Sequence, residues 1–254
     1  VISRSSISGM LQANYRTQIL LGISRRADKI EANLRLFPRR KGRPAPPEEV
    51  EAVGTEAAIL MGMPDREYIE QFSRRNMPLV VADHVAEGVA LDYVACDNEG
   101  SMRAVVEHLA GLGHRRFAYL DIALRISRDS DCIERREAFR RQVEAAGGEA
   151  VAQAEHWGSS PGNDGKMPES YAALLEKLAG RDADRPTAVI TDSEGSASAL
   201  MIVLNKRELR VPEDVSVAAV SQTKGDIPIP YPVTGCFTDF YGMGVKAMEL
   251  LELR

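Results

Sequence analysis

VACDNEGSMRAVVEHLAGLGHRRFAYLD, residues 94–121, followed after a polar gap by IERREAFRRQVEAAGG, residues 133–148, is the stretch that decides the fold. Val94 closes a short strand and a turn follows. Met102, Val105, Val106, Leu109 and Leu112 then recur at the i, i+3, i+4, i+7 spacing of a helix that buries one face. Gly113 is placed to stop that helix, because only glycine enters the left-handed conformation of a helix C-cap without steric cost. Phe117 to Leu120 is a short apolar run of the kind that forms a strand buried on both faces. A second helix, from about Ile133 to Ala146, stops at Gly147-Gly148.

The same alternation extends outward on both sides. Tyr15 to Leu34 places Ile19, Leu20, Ile23, Ala27, Ile30 and Leu34 on one helical face, and Val1-Ile2 reads as a chain beginning partway through its first β-element. PRRKGRPAPP, residues 38–47, reads as an exposed loop whose basic residues form a solvated surface. Ala57 to Met61 is a strand, Asp65 caps a helix that buries Tyr68, Ile69 and Phe72, and LVVAD, residues 79–83, is another buried strand. Beyond Gly148 come a polar connector containing Trp157, a helix at Tyr171 to Leu178, a strand at Thr187 to Ile190, a helix at Ser196 to Leu204 and a strand at Val215 to Val220. Strands alternating with helices of this length imply parallel sheets joined by crossovers. The units outnumber what one modest sheet needs. The expectation is therefore two Rossmann-like lobes joined by a hinge, an N-terminal one of residues 1–120 and 236–254 and a C-terminal one of residues 121–235, with ligands met at the carboxyl ends of the strands in a cleft.

Composition narrows the function. With 254 residues and 44% hydrophobic content the chain can bury a real core, and it contains no apolar run of the roughly 18 residues that a membrane helix needs. A cytoplasmic location and no membrane partner are expected. Cys96, Cys132 and Cys236 are odd in number and widely spaced, which suggests buried free thiols rather than a disulfide framework or a zinc site. A net charge of −5 argues against these residues forming a nucleic-acid surface, which depends on concentrated basic charge. Catalytic and cofactor signatures are missing from the sequence. Gly195-Ser196-Ala197-Ser198 lacks the glycines of a nucleophile elbow, His108 and His114 are wrongly spaced for a helical metal pair, and Gly242-x-Gly244 is too short for a dinucleotide fingerprint. No cofactor, metal or catalytic residue is expected.

The order of motifs resembles the effector-binding domain of lactose-repressor-family transcription regulators. YRTQILLGI at residues 15–23 looks like their first helix; Asp97-Asn98 with HLAGLGHRRFAYL resembles their most recognisable signature; Arg135-x-x-Ala138-Phe139 resembles R-x-x-G-F. PTAVITDSEGSASAL, LRVPEDVSVAAV and TDFYGMGVKAMELL resemble the family's later motifs. The resemblance implies a periplasmic-binding-protein-like fold, a small polar effector such as a sugar, sugar phosphate, organic acid or nucleobase, a homodimer, and DNA bound through a headpiece outside these residues. The alternatives are a solute-binding protein of a transporter and an α/β enzyme. Three departures bear on the ligand: Ser221-Gln222 stands where the family has an aspartate, Asp192-Ser193 stands for its Asn-Asp pair, and Ala138 replaces a glycine.

Candidate ligand contacts follow from that placement and from strand ends. Arg135 offers a planar fork of donors at the family's ligand-contacting position, or else pairs with nearby glutamates like Arg136, Arg140 and Arg141. Trp157 supplies a flat apolar face for a ring, or caps the edge of the core. Tyr15 and Arg16 open the first helix, where unpaired N–H groups favour polar ligands, or else pack across a dimer surface. Asp83 with His84, Asp121, and Asp192 each follow a strand, as Ser221 does, and any one aspartate alone could be a helix cap.

Overall fold

Alternation of buried residues along short parallel strands organises the chain, and a computed structural model describes it for residues 1–3, 5, 14–39, 43–62, 65–85, 88–122, 130–156, 169–180, 182–223 and 232–254. These residues form two units, Val1–Cys96 with Asp239–Arg254, and Asp97–Thr238. Each unit has its own parallel sheet, so the fold is α/β as expected.

In the first unit β1 (Ile2–Ser3), β2 (Ala58–Met61), β3 (Leu79–Ala82) and β4 (Asp92–Val94) pair side by side in that order. Phe37 adds a parallel bridge on the outer side of β1, where its N–H donates to the Val1 carbonyl at 2.8 Å and its carbonyl accepts from Ser3 at 3.0 Å. The period of two divides the strands cleanly. Ala58, Leu60, Leu79 and Val81 pack with α2 (Pro47–Glu51) and α3 (Arg66–Ser73). Ile59, Met61, Val80 and Ala82 pack with α1 (Asn14–Lys29) and α8 (Phe240–Glu252). Asp65 caps α3 as expected, its carboxylate accepting from the Tyr68 N–H at 3.1 Å.

Two local expectations in this unit are corrected. The first helix stops at Lys29, because Glu31 turns into the left-handed region at φ 57°, and Ile30 and Leu34 are exposed rather than on its buried face. The proline-rich loop ends earlier than read: Pro47 starts α2, where a missing N–H costs nothing, and Ala45 and Pro47 are buried.

Helices α1 and α8 touch backbone to backbone. A Cβ on Gly244 would lie 2.0 Å from the Ile19 carbonyl oxygen, and one on Gly22 would lie 2.1 Å from that of Tyr241. Both glycines are required by the approach of the helices, since no side chain fits between the two backbones.

In the second unit β5 (Arg116–Ile122), β6 (Glu149–His156), β7 (Ala188–Thr191), β8 (Ser216–Gln222) and β9 (Thr234–Phe237) are ordered β6-β5-β7-β8-β9. Phe117, Tyr119, Ile190, Ala218 and Val220 face α4 (Asn98–Gly111) and α5 (Ser130–Ala145). Ala118, Leu120, Val189, Val217 and Ala219 face α6 (Glu169–Ala179) and α7 (Glu194–Lys206). Because β5 pairs with β6 on one side and β7 on the other and α4 packs on that sheet, residues 97–120 belong to this unit, and the break expected near Asp121 falls at Cys96/Asp97 instead. Its return falls at Thr238/Asp239 rather than Cys236. Gly113 ends α4 at φ 96°, but Leu112 lies past the last turn and is 64% exposed, so it is not part of the helix's buried face.

At both points where the chain passes between units an aspartate starts a helix in the same way. The carboxylates of Asp97 and Asp239 accept from the N–H of Gly100 and Gly242, each at 2.8 Å. A Cβ on either glycine would collide with the capping carboxylate, which accounts for both Asp-x-x-Gly spacings.

Candidate functional site

Strand order locates the site within the second unit. The chain leaves β5 toward α5 on one face of the sheet and leaves β7 toward α7 on the other. Adjacent parallel strands whose following connections diverge leave a crevice at their carboxyl ends, which is where open α/β sheets bind ligands. Asp121 and Asp192 flank that point. The Asp192 N–H donates to the Leu120 carbonyl at 3.1 Å, continuing the ladder, and the alternation of both strands puts the two aspartates on the face of Tyr119 and Ile190.

Asp121 is fully buried, and a buried carboxylate needs a partner to remain charged. Arg136 supplies it: its Nε donates to Asp121 Oδ2 at 2.7 Å, and its second arm reaches Glu155 Oε1 on β6 at 3.2 Å. Burial alone would lower the pKa of this guanidinium, but its hydrogen bonds and charge contacts with Asp121 and Glu155 outweigh burial and raise it. The ion pair therefore locks α5 onto the ends of β5 and β6.

Arg135, one residue earlier, is also turned inward, with its side chain 13% exposed. Its Nε donates to Asn98 Oδ1 at 2.7 Å, while Asn98 Nδ2 donates to Glu134 Oε2 at 2.7 Å. Asp131 lies 3.8 Å from the guanidinium. Asn98, in the first turn of α4, is buried and so fixes the plane of Arg135 from a second helix. Arg140 and Arg141 differ: they point outward to Gln153 and to Glu99 and Glu137. The four arginines of α5 thus divide into an inner and an outer pair.

Asp192 is not the cap of α7. Ser193 has that role, its Oγ accepting from the Ser196 N–H at 3.3 Å, and it also donates to Asp192 Oδ1 at 3.3 Å. Beside it Glu194 accepts from Thr223 at the end of β8, through both the backbone N–H and the hydroxyl. Ser221 falls on the opposite face of the sheet by alternation with Val217 and Ala219, and its Oγ lies 3.3 Å from that of Thr238.

The remaining sequence candidates lie elsewhere. Asp83 follows β3 in the first unit at φ 64°, its N–H donating to the Val94 carbonyl at 2.9 Å, with His84 buried beside it. Tyr15 packs its ring 5.2 Å from that of Phe240, and the Arg16 guanidinium stacks 4.8 Å over Tyr15. Trp157 lies outside the described residues. The second unit therefore gathers Asp121, Arg135 and Asp192 on one face at adjoining ends, whereas Tyr15, Arg16 and Asp83 belong to the first unit. Sequence reasoning missed Arg136, Asn98, Glu194 and Tyr119. The stripe Cys132, Arg136, Phe139, Val143 at helical spacing was the available signal for the first of these.

Two cavities lie at the amino ends of the sheets: about 730 Å³ in the first unit near Ala57, Phe37 and Met248, and about 550 Å³ in the second near Leu112, Ser216 and Thr234. Neither gathers buried ionic groups, so convergent chemistry favours the carboxyl end of β5 and β7 over cavity size. Of the three cysteines expected to be buried, Cys132 is, whereas Cys96 and Cys236 are half-buried. Among the described residues no cluster of His, Cys, Asp and Glu side chains is arranged to hold a metal ion, and no helix is long and apolar enough to cross a membrane.

Residues 106–254 match the family described as a periplasmic binding protein-like domain. Catabolite control protein A of Priestia megaterium is 21% identical over 199 residues, covering 76% of this chain and 55% of that protein. The HTH-type transcriptional repressor PurR of Photobacterium profundum is 24% identical over 191 residues, covering 75% and 54%. The chain thus spans about half the length of the curated relatives it matches. Among solved structures, a LacI family transcriptional regulator from Bifidobacterium animalis subsp. lactis superposes with a TM-score of 0.75 at 20% identity, covering 95% of this chain and 86% of that one. The lac repressor dimer bound to operator and the anti-inducer ONPF superposes with a TM-score of 0.73 at 20% identity, covering 99% and 84%. At these identities the likeness is one of fold.

Proposed function

The chain belongs to the family of periplasmic binding protein-like domains, and from that premise we propose that it is the effector-sensing part of a DNA-binding transcriptional repressor. It binds a small polar molecule at the carboxyl ends of β5 and β7 and does not turn it over. The observation that carries this reading is the convergence, at the strand-order reversal between β5 and β7, of buried Asp121, inward-facing Arg135 and Asp192, in a chain whose relatives include proteins named as transcriptional repressors. DNA is contacted by a segment other than these residues, in keeping with their net charge of −5. The protein works in the cytoplasm as a homodimer. Effector binding regulates only insofar as it favours one conformational state over another, by about 1–3 kcal/mol in typical cases.

Arg135 is the residue on which the reading is tested. A ligand present at about 100 times its Kd stabilises the folded state by about 2.7 kcal/mol, which for a chain of this size raises Tm by roughly 5–10 °C. A thermal-shift screen of sugars, sugar phosphates, organic acids and purines should find such a compound. Arg135→Ala, checked for native circular dichroism, should lose the shift. A full shift in the variant removes Arg135 from the site.

A further inference from the structure

Among the described residues Tyr119 is the largest fully buried side chain, and its hydroxyl has no hydrogen-bond partner there. Its ring has a complete structural role, stacked on Phe139 at 5.3 Å with an interplanar angle of 23° inside the core between β5, α4 and α5. Phenylalanine would fill that role equally well. A buried donor left unpaired is a standing cost, and native structures retain few of them without a reason outside the fold.

The direction of the hydroxyl supplies the reason. Strand alternation puts Tyr119 on the same face as Asp121 and Asp192. The inner stripe of α5 runs Cys132, Arg135 and Arg136, Phe139, so a ring lying on Phe139 has the N-terminal turns of that helix beyond it. Burial first, then the charges of Asp121 and Asp192, hold the phenol protonated well above its usual range, with Arg135 and Cys132 also within its field. The hydroxyl is therefore a protonated donor enclosed close to Asp121 and Asp192, beneath the carboxyl ends of β5 and β7.

The charges around it select among ligands. Arg136 is engaged by Asp121 and Glu155, and Arg135 by Asn98 with Asp131 beside it, while Asp192 adds a further carboxylate. Among the described residues carboxylates outnumber guanidiniums here, so an incoming phosphate or carboxylate meets an excess of like charge. A hydroxyl-bearing ligand can donate to the aspartates and accept from Tyr119 at once.

We propose that the Tyr119 hydroxyl is a specificity-determining contact for the effector, and that the effector is a neutral or cationic molecule rich in hydroxyl or amine groups rather than a phosphate or an acid. This rests on the second unit's being a ligand sensor, as proposed above.

The test compares wild type, Tyr119→Phe and Arg135→Ala against free pentoses, hexoses and myo-inositol, and against sugar phosphates and dicarboxylic acids, by thermal shift and calorimetric titration. Without ligand, Tyr119→Phe should melt at or above the wild-type temperature, since it removes an unpaired group. Its affinity for the neutral compound that binds wild type should fall about tenfold, equivalent to about 1.4 kcal/mol. A lower melting temperature, wild-type affinity in Tyr119→Phe, or binding of the anionic probes alone would each overturn the inference. Wild-type affinity in Tyr119→Phe together with loss in Arg135→Ala overturns this contact and leaves the sensor reading standing. Binding indifferent to both substitutions, or no response of wild type to any probe, overturns both.

Discussion

Gly244→Ala sets two energies of opposite sign against each other. Gly244 lies within α8, where alanine is favoured over glycine by about 1 kcal/mol because the unfolded chain loses less freedom on becoming helical. Against this, the new methyl would sit 2.0 Å from the Ile19 carbonyl oxygen and 2.9 Å from both the Ile19 carbonyl carbon and the Ile23 nitrogen. All of these are backbone atoms of α1, so no rotamer change relieves the contact, and the helices must separate by an ångström or more. Separation opens the packing of Ile19, Ile23 and Ala27 against Met243, Ala247 and Met248. Overpacking of this kind costs about 1–3 kcal/mol and occasionally more, and with no give on either side the upper part of that range applies. The net loss should be about 2 kcal/mol, or roughly 4–8 °C in Tm for a chain of this length. The measurement is thermal unfolding by circular dichroism, with Gly111→Ala as control: Gly111 ends α4 with nothing within 4 Å of its would-be Cβ, and alanine there should be neutral or mildly stabilising. A Gly244→Ala protein at least as stable as wild type would refute the claim that α1 and α8 meet backbone to backbone.

Asp121→Ala removes the buried partner of Arg136 and should cost about 3 kcal/mol in urea denaturation, reduced to the extent that Glu155 retains the guanidinium; a loss below about 1 kcal/mol would mean the pair is solvated. His114 bridges Thr187 and Ser216, each at 2.9 Å, and desolvation lowers its pKa below the unfolded value of 6.5. The unfolded chain then binds the proton more readily, so stability present at pH 7 should decline as pH falls below 6.5 toward the depressed folded value; His114→Gln should flatten that part of the profile in denaturation curves between pH 7 and about pH 5.

How much of this was legible depended on the range of the interaction. Ala58–Met61, Leu79–Ala82 and Ala188–Thr191, strands buried at every position, announce themselves as short apolar runs, and the Asp65 cap is a local hydrogen bond over three residues. Element ends were harder. Leu34 keeps the helical period of α1 and Leu112 that of α4, yet the backbone has already turned, at Glu31 in one case and by the C-cap at Leu112 in the other. Periodicity records where an apolar residue recurs, not whether the chain is still helical there. The unit boundary was misplaced for a different reason: residues 97–120 precede Asp121 in sequence but belong to its unit, and only the pairing of β5 with both β6 and β7 reveals it.

The strand order of the second unit is repeated in the first, and the repeat explains why the site's chemistry divided as it did. Phe37 flanks β1 on the side away from β2, just as β6 flanks β5 on the side away from β7. Both sheets therefore reverse order at their first strand, and position alone would mark the ends of β1 and β2 as strongly as those of β5 and β7. The residues there differ: Ser3 and Gly62 in the first unit, Asp121 and Asp192 in the second. A parallel sheet fixes where polar groups can converge, and the sequence could therefore name Asp121 and Asp192 by counting to the end of each strand. It could not name Arg136 in place of Arg135 as the partner of Asp121, because adjacent positions on α5 differ by about 100° of rotation and both fall near the buried stripe. Only the depth of Asp121 in the sheet decides which guanidinium pairs with it, Arg136, and which is held instead by Asn98, Arg135.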